Sequence, residues 1–98
     1  MVKHIVMFRL KAEGEQLAKL ECYFKTAIDA LPSKIDTLDT VEVGINDGPA
    51  AGNWHIVLTA TCADYTALDT YSAHPEHLAC VAIIKAAIAA RACVDYQY

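Results

Sequence analysis

No unbroken apolar run in this chain is long enough to cross a bilayer, although 55% of its 98 residues are hydrophobic and only 20% are charged. A chain this apolar is equally unsuited to disorder, so a folded, soluble domain is expected. No two of Cys22, Cys62, Cys80 and Cys93 lie close together in the sequence, which removes the paired spacing that builds zinc or redox sites. Reduced, mostly buried thiols are expected instead. No basic cluster offsets the formal net charge of −4, which argues against nucleic acid or an anionic membrane as the main partner. The opening Met1 to Lys11 is interrupted by His4 and Arg9, which is wrong for a cleaved export signal, so a cytoplasmic location is expected. No repeat, linker or low-complexity segment divides the chain, and residues 1–98 read as a single domain whose partners are small molecules or protein.

What is present is a regular succession of hydrophobic patterns. Val2 to Leu10 alternates Val2, His4, Val6, Phe8 and Leu10 against Lys3, Ile5, Met7 and Arg9, the pattern of a strand with apolar residues on both faces. Leu17, Leu20, Phe24, Ile28 and Leu31 form one helical stripe within Glu13 to Leu31, and Pro32 stops it. Thr40 to Ile45 predicts a second strand, Asn46 to Asn53 a loop, and Trp54 to Thr61 a third strand. Asp64 is placed to cap a short helix reaching Tyr71 or Ser72. A further helix runs from Pro75 to about Ala89 with Lys85 as its only charge after His77, which predicts burial around much of its girth, and Ala92 to Tyr98 forms a last strand. The alanine-rich run from Ala86 to Ala92 reads as helix.

The order β-α-β-β-α-β, with its second helical segment broken at His74-Pro75, predicts an α+β, ferredoxin-like fold: a four-stranded antiparallel sheet with helices on one face. Ile5 and Met7 make the opposite face apolar, and a small domain has only a modest core of its own, so a homodimer with sheet packed on sheet is expected.

The densest chemistry lies in Tyr71-Ser72-Ala73-His74-Pro75-Glu76-His77. Proline is tolerated at the first position of a helix, which puts His74 at the N-cap and His77 in the first turn. Unpaired amides there oppose protonation of an imidazole, so His77 suits a general base and Tyr71 a proton donor to a developing oxyanion. The alternative is a junction whose rings cap and pack, and His74 fits that role. His4 and His55, on the first and third strands, are candidates for lining a substrate pocket or for hydrogen-bonded interior positions. A flush register between those antiparallel neighbours sets His4 near Thr61 and His55 near Leu10, about 20 Å apart. A metal site built on His74 and His77 lacks a third converging ligand, because Glu76 points around the helix away from His77, so neither metal nor cofactor is expected.

Several segments together resemble the stress-responsive A/B barrel domain family of the dimeric α+β barrel superfamily. They are Val2 to Leu10, Glu42-Val43-Gly44 followed by Asn46, Trp54 to Leu58, Ala67 to Tyr71 leading into His74-Pro75-Glu76-His77, and the closing Val94-Asp95-Tyr96. Cys62 departs from the pattern, standing where many members have an aromatic residue. At the Tyr-x-x-His-Pro-x-His element the chain is similar to plant polyketide cyclases of the olivetolic acid type. That resemblance implies catalytic roles for Tyr71 and His77 and pocket roles for His4 and His55. The expected function is a cofactor-independent cyclase, isomerase or lyase acting on a small apolar carbonyl or polyketide-like compound. The alternative is a non-catalytic dimeric protein, stress-associated or binding a small apolar or aromatic ligand.

Overall fold

The alternation of the first segment becomes strand β1 (Val2–Leu10), with Val2, His4, Val6, Phe8 and Leu10 buried and the intervening residues less so. The computed structural model describes residues 1–98. Helix α1 (Gly14–Asp29) buries Phe24 and Ile28, and a 3₁₀ turn at Leu31–Ser33 carries Pro32 in its first turn. Strands β2 (Thr40–Ile45) and β3 (Ile56–Cys62) follow, then helices α2 (Tyr65–Ala73) and α3 (Pro75–Ile84), a 3₁₀ turn at Lys85–Ala87 and strand β4 (Ile88–Gln97). The sheet order is β2-β3-β1-β4, with every neighbouring pair antiparallel. This is the expected ferredoxin-like α+β fold, and no helix is long and apolar enough to cross a membrane.

Two boundaries near the C-terminal end differ from the pattern reading. The helix expected to reach about Ala89 ends at Ile84, and the last strand begins at Ile88, four residues before Ala92. Alanine favours helix, but β1 offers an uncovered edge along its whole length, and the ladder from Leu10↔Ile88 through Phe8↔Arg91 to Val2↔Gln97 satisfies both backbones at once. That tertiary pairing overrides local preference. Helix α3 is also less enclosed than its composition suggests: only Cys80 and Ile84 are buried, and Leu78 is exposed. The β1/β3 register places His4 opposite Ala60, one residue from the flush alignment with Thr61.

The core lies between the sheet and the three helices, where Phe8 meets Phe24 edge-on at 5.7 Å between ring centroids. Ile28 on α1 and Ile84 on α3 are wholly excluded from solvent. Truncation of such a residue removes buried methyl groups and leaves a cavity, so Ile28→Ala should lower unfolding free energy by about 2–5 kcal/mol. Urea titration should show a lower midpoint with an unchanged slope. The helix-free face carries Ile5, Met7, Val57, Val94 and Tyr96. Met7 pairs with Val57 and Ile5 with Val94, and all of these except Ile5 are exposed.

Candidate active site

The site forms where α2 stops and α3 starts. Asp64 caps α2, its carboxylate accepting from the Ala67 amide at 2.8 Å. Proline disfavours a helical conformation in the residue before it, and His74 accordingly adopts extended angles (φ −65°, ψ 134°) that break the two helices apart. Its Nδ1 accepts from the Glu76 amide at 3.1 Å, so His74 caps α3 and Pro75 occupies the first turn, where no amide hydrogen is needed.

The bend folds His77 back over the end of α2. Its Nδ1–H donates to the Ser72 carbonyl oxygen at 3.0 Å. A carbonyl only accepts, so the proton resides on Nδ1 and Nε2 keeps a free lone pair. The ring sits 4.5 Å from that of Tyr71, centroid to centroid, and the His4 ring approaches Tyr71 edge-on at 6.5 Å. β1 thus brings His4 to the two residues of the helical junction. Burial holds the His77 pKa below its ordinary value; the Ser72 hydrogen bond opposes this, and the charges of His4 and Arg91 add to it. Burial also drives the Tyr71 phenol well above its usual range, so it stays protonated. The Tyr71 hydroxyl is fully buried and has no hydrogen-bond partner. An orphaned buried donor of this kind calls for an explanation, because it is costly to maintain.

Beside His77 lies the most enclosed cavity of the molecule, about 280 Å³, walled by His4, Val6, Phe8, Phe24, Leu58, Ser72, His77, Leu78, Val81, Ile88 and Arg91. Phe8 and Phe24 form its apolar walls without filling it, while Tyr23 points outward and is exposed. Tyr71 packs behind His77. The volume is near the lower limit of about 300 Å³ for ligand pockets, so any occupant is small.

His55 is placed elsewhere. Its Nδ1 accepts from the Leu10 amide at 2.9 Å, and the ring borders open depressions at the far end of the sheet, one of about 430 Å³ shared with Met7, Trp54 and Val57. The strand partner of His4 is Ala60, five residues along β3, which separates the two histidines by about 17 Å. The structure gathers His4, Tyr71 and His77 and leaves His55 apart.

Two residues near the cavity were not singled out from the sequence. Arg91 lay between the expected end of a helix and the expected start of a strand, and only its pairing with Phe8 turns it towards the pocket. Asp95 stands opposite His4 in the ladder and accepts from His4 Nδ1–H at 2.5 Å. A period-two reading of β4 alone puts Cys93 and Asp95 on one face, but the register against β1 was needed to bring them to His4. Cys93 Sγ lies 3.5 Å from both His4 Nδ1 and Asp95 Oδ1. A neutral imidazole and Arg91 on the wall of an apolar space, with a protonated phenol packed against the imidazole from outside the lining, are groups that can remove a proton next to a carbonyl and offset the charge that results.

The model of the stress responsive A/B barrel domain matches residues 2–98. No curated protein matches the chain. Among solved structures it is similar to a dimeric ferredoxin-like protein of unknown function from Bacteroides fragilis, with 38% identity, a TM-score of 0.94, and coverage of 99% of this chain and 95% of that one. A dimeric ferredoxin-like protein of unknown function from Thermobifida fusca is 28% identical, with a TM-score of 0.82 and coverage of 99% and 90%. Hydroxynitrile lyase from Passiflora edulis shares the fold at 18% identity, with a TM-score of 0.77 and coverage of 97% and 90%.

Proposed function

The chain belongs to the stress responsive A/B barrel domain family, and within that fold we propose an enzyme of acid–base type acting on a small, largely apolar carbonyl compound as a cyclase, isomerase or lyase. The observation that carries this reading is the His77 ring: Nδ1 is tied to the Ser72 carbonyl, the ring forms part of the wall of an enclosed apolar cavity, and burial keeps it neutral. Nε2 is then the base that takes the proton next to the substrate carbonyl. Arg91 at the wall supplies the cation for the enolate oxygen, and we assign the Tyr71 phenol, which packs against the His77 ring just outside the lining, as its donor. Both the base and the acid are side chains, so the proton transfers need no cofactor. Phe8, Phe24 and Leu58 exclude water and favour an apolar substrate skeleton.

The working unit we propose is a homodimer. The exposed apolar residues of the helix-free face and the dimeric state of the Bacteroides fragilis and Thermobifida fusca neighbours support it.

Deuterium uptake tests the chemistry without knowledge of the natural substrate. A panel of small apolar ketones and 1,3-diketones is incubated with the protein in D₂O, and loss of the α-proton signal is followed by NMR. Catalysed exchange above the buffer rate is expected for at least one member. Because the His77 pKa lies below its ordinary value of about 6.5, the rate should hold at pH 7, persist to below pH 6.5 and fall only as Nε2 becomes protonated. The same depression makes the unfolded chain bind a proton before the folded one does. Thermal stability should therefore decline as pH falls from about 6.5 towards the folded-state pKa, with this contribution fully present above that window. Absence of exchange across the panel would favour a non-catalytic binding protein.

A further inference from the structure

On the β1/β4 side of the sheet three different metal-ligating atoms converge: His4 Nδ1, Cys93 Sγ and Asp95 Oδ1 all lie within 4.8 Å of one another. We infer that this trio is a binding site for one divalent transition-metal ion of the zinc class per chain. Strand pairing builds it, because His4 faces Asp95 directly across the β1/β4 ladder and Cys93, two residues before Asp95, projects from the same face of β4. A tetrahedral zinc ion with bonds of about 2.0–2.1 Å to nitrogen and oxygen and about 2.3 Å to sulfur spaces its ligands about 3.5 Å apart on the sulfur edges and about 3.3 Å on the nitrogen–oxygen edge. Both sulfur edges already measure 3.5 Å, and the nitrogen–oxygen edge measures 2.5 Å. Only that edge must open, by about 0.8 Å, as the cation replaces the proton shared between imidazole and carboxylate.

Burial is distributed suitably for such an opening. His4 is buried and anchored in β1, while Cys93 and Asp95 are on an exposed edge strand. A thiolate, a carboxylate and a neutral imidazole supply two negative charges to a doubly charged ion, and the mix of soft sulfur with nitrogen selects zinc or cobalt over magnesium or calcium. The Arg91 guanidinium, two residues from Cys93, is a positive charge that acts on this thiol. With three protein ligands the fourth position stays open to water or a small anion, as in catalytic rather than structural zinc sites. The inference uses neither His77 nor Tyr71, and shares with the acid–base reading only His4, which also lines that cavity.

The full-length protein, kept reduced with a non-coordinating phosphine, is titrated with Co²⁺ and followed by absorption. Expected is one ion per chain, with visible bands of tetrahedral intensity, a thiolate-to-cobalt charge-transfer band in the near ultraviolet, and displacement by Zn²⁺. Cys93→Ser should abolish the charge-transfer band, and Asp95→Asn should weaken binding at least about tenfold. Cys22→Ser, altering an exposed thiol on α1, should leave the titration unchanged. Circular dichroism identical to that of the parent establishes that each variant is folded. A parent protein with no thiolate band, or a folded Cys93→Ser protein that retains it, overturns the assignment.

Discussion

Replacing Met7 by Asp should convert the proposed two-chain assembly into a protein that sediments as a single chain, or that leaves solution. Met7 is central on β1, on the face without helices, flanked across the ladders by Val57 on one side and Ala92 on the other. Met7, Val57, Val94 and Tyr96 expose apolar surface there, with Ile5 half-buried between them. A stable interface buries at least about 1,000 Å² in total, and two sheets packed face to face supply that area while removing the apolar patch from water. By two-fold symmetry each Asp in a Met7→Asp dimer is accompanied by a second, so two carboxylates enter one apolar layer without partners, a loss that typically amounts to several kcal/mol. Glu15→Gln, on the exposed first turn of α1, removes a charge from the helical side and should leave the dimer intact. Sedimentation velocity at micromolar concentration separates these results. A Met7→Asp protein that remains a dimer would require the contact to lie elsewhere, such as along the free edge of β4.

The same alternation on β1 that predicts the second face also predicts the fold, because the hydrophobic period changes from two on β1 to about 3.6 on α1 and back to two on β2 and β3. Punctuation was equally readable: Asp64 as a cap, Pro75 at a helix start and His74 before it all follow from local chemistry and hold in the structure. Local chemistry failed where a partner strand decides. Ala86 to Ala92 has helical composition, yet Ile88 onwards is strand because β1 is available to pair with it. That error hid Arg91. The alignment of His4 with Asp95 and Cys93 was illegible for the same reason, since it depends on register across 91 residues of sequence separation. The proximity of Tyr71 and His77 was legible because it is set within one helical junction. The distance of His55 from them was half legible: its place beside Leu10 follows from antiparallel pairing, while the one-residue offset of His4 does not.

His77→Gln should reduce catalysed exchange by about 10²–10⁴-fold, the usual contribution of a positioned general base. Glutamine retains an amide that can still donate to the Ser72 carbonyl, so the junction between α2 and α3 should persist, but it has no basic lone pair at any working pH. A purely structural role for His77 predicts the opposite separation, with stability lost and exchange retained. Tyr71→Phe sharpens the distinction. The phenol hydroxyl is buried without a partner, so removing it relieves a desolvated polar group while leaving the ring that packs against His77 and His4. Its melting temperature should therefore be unchanged or raised. If the hydroxyl donates to the enolate oxygen when substrate is bound, the same variant should lose about tenfold or more in kcat at little change in KM, because a donor aimed at developing charge acts mainly in the transition state. A residue that stabilises when deleted yet slows the reaction is one whose cost to the fold is maintained for function. Unchanged exchange in Tyr71→Phe would remove the phenol from the mechanism and leave Arg91 as the group facing the oxyanion.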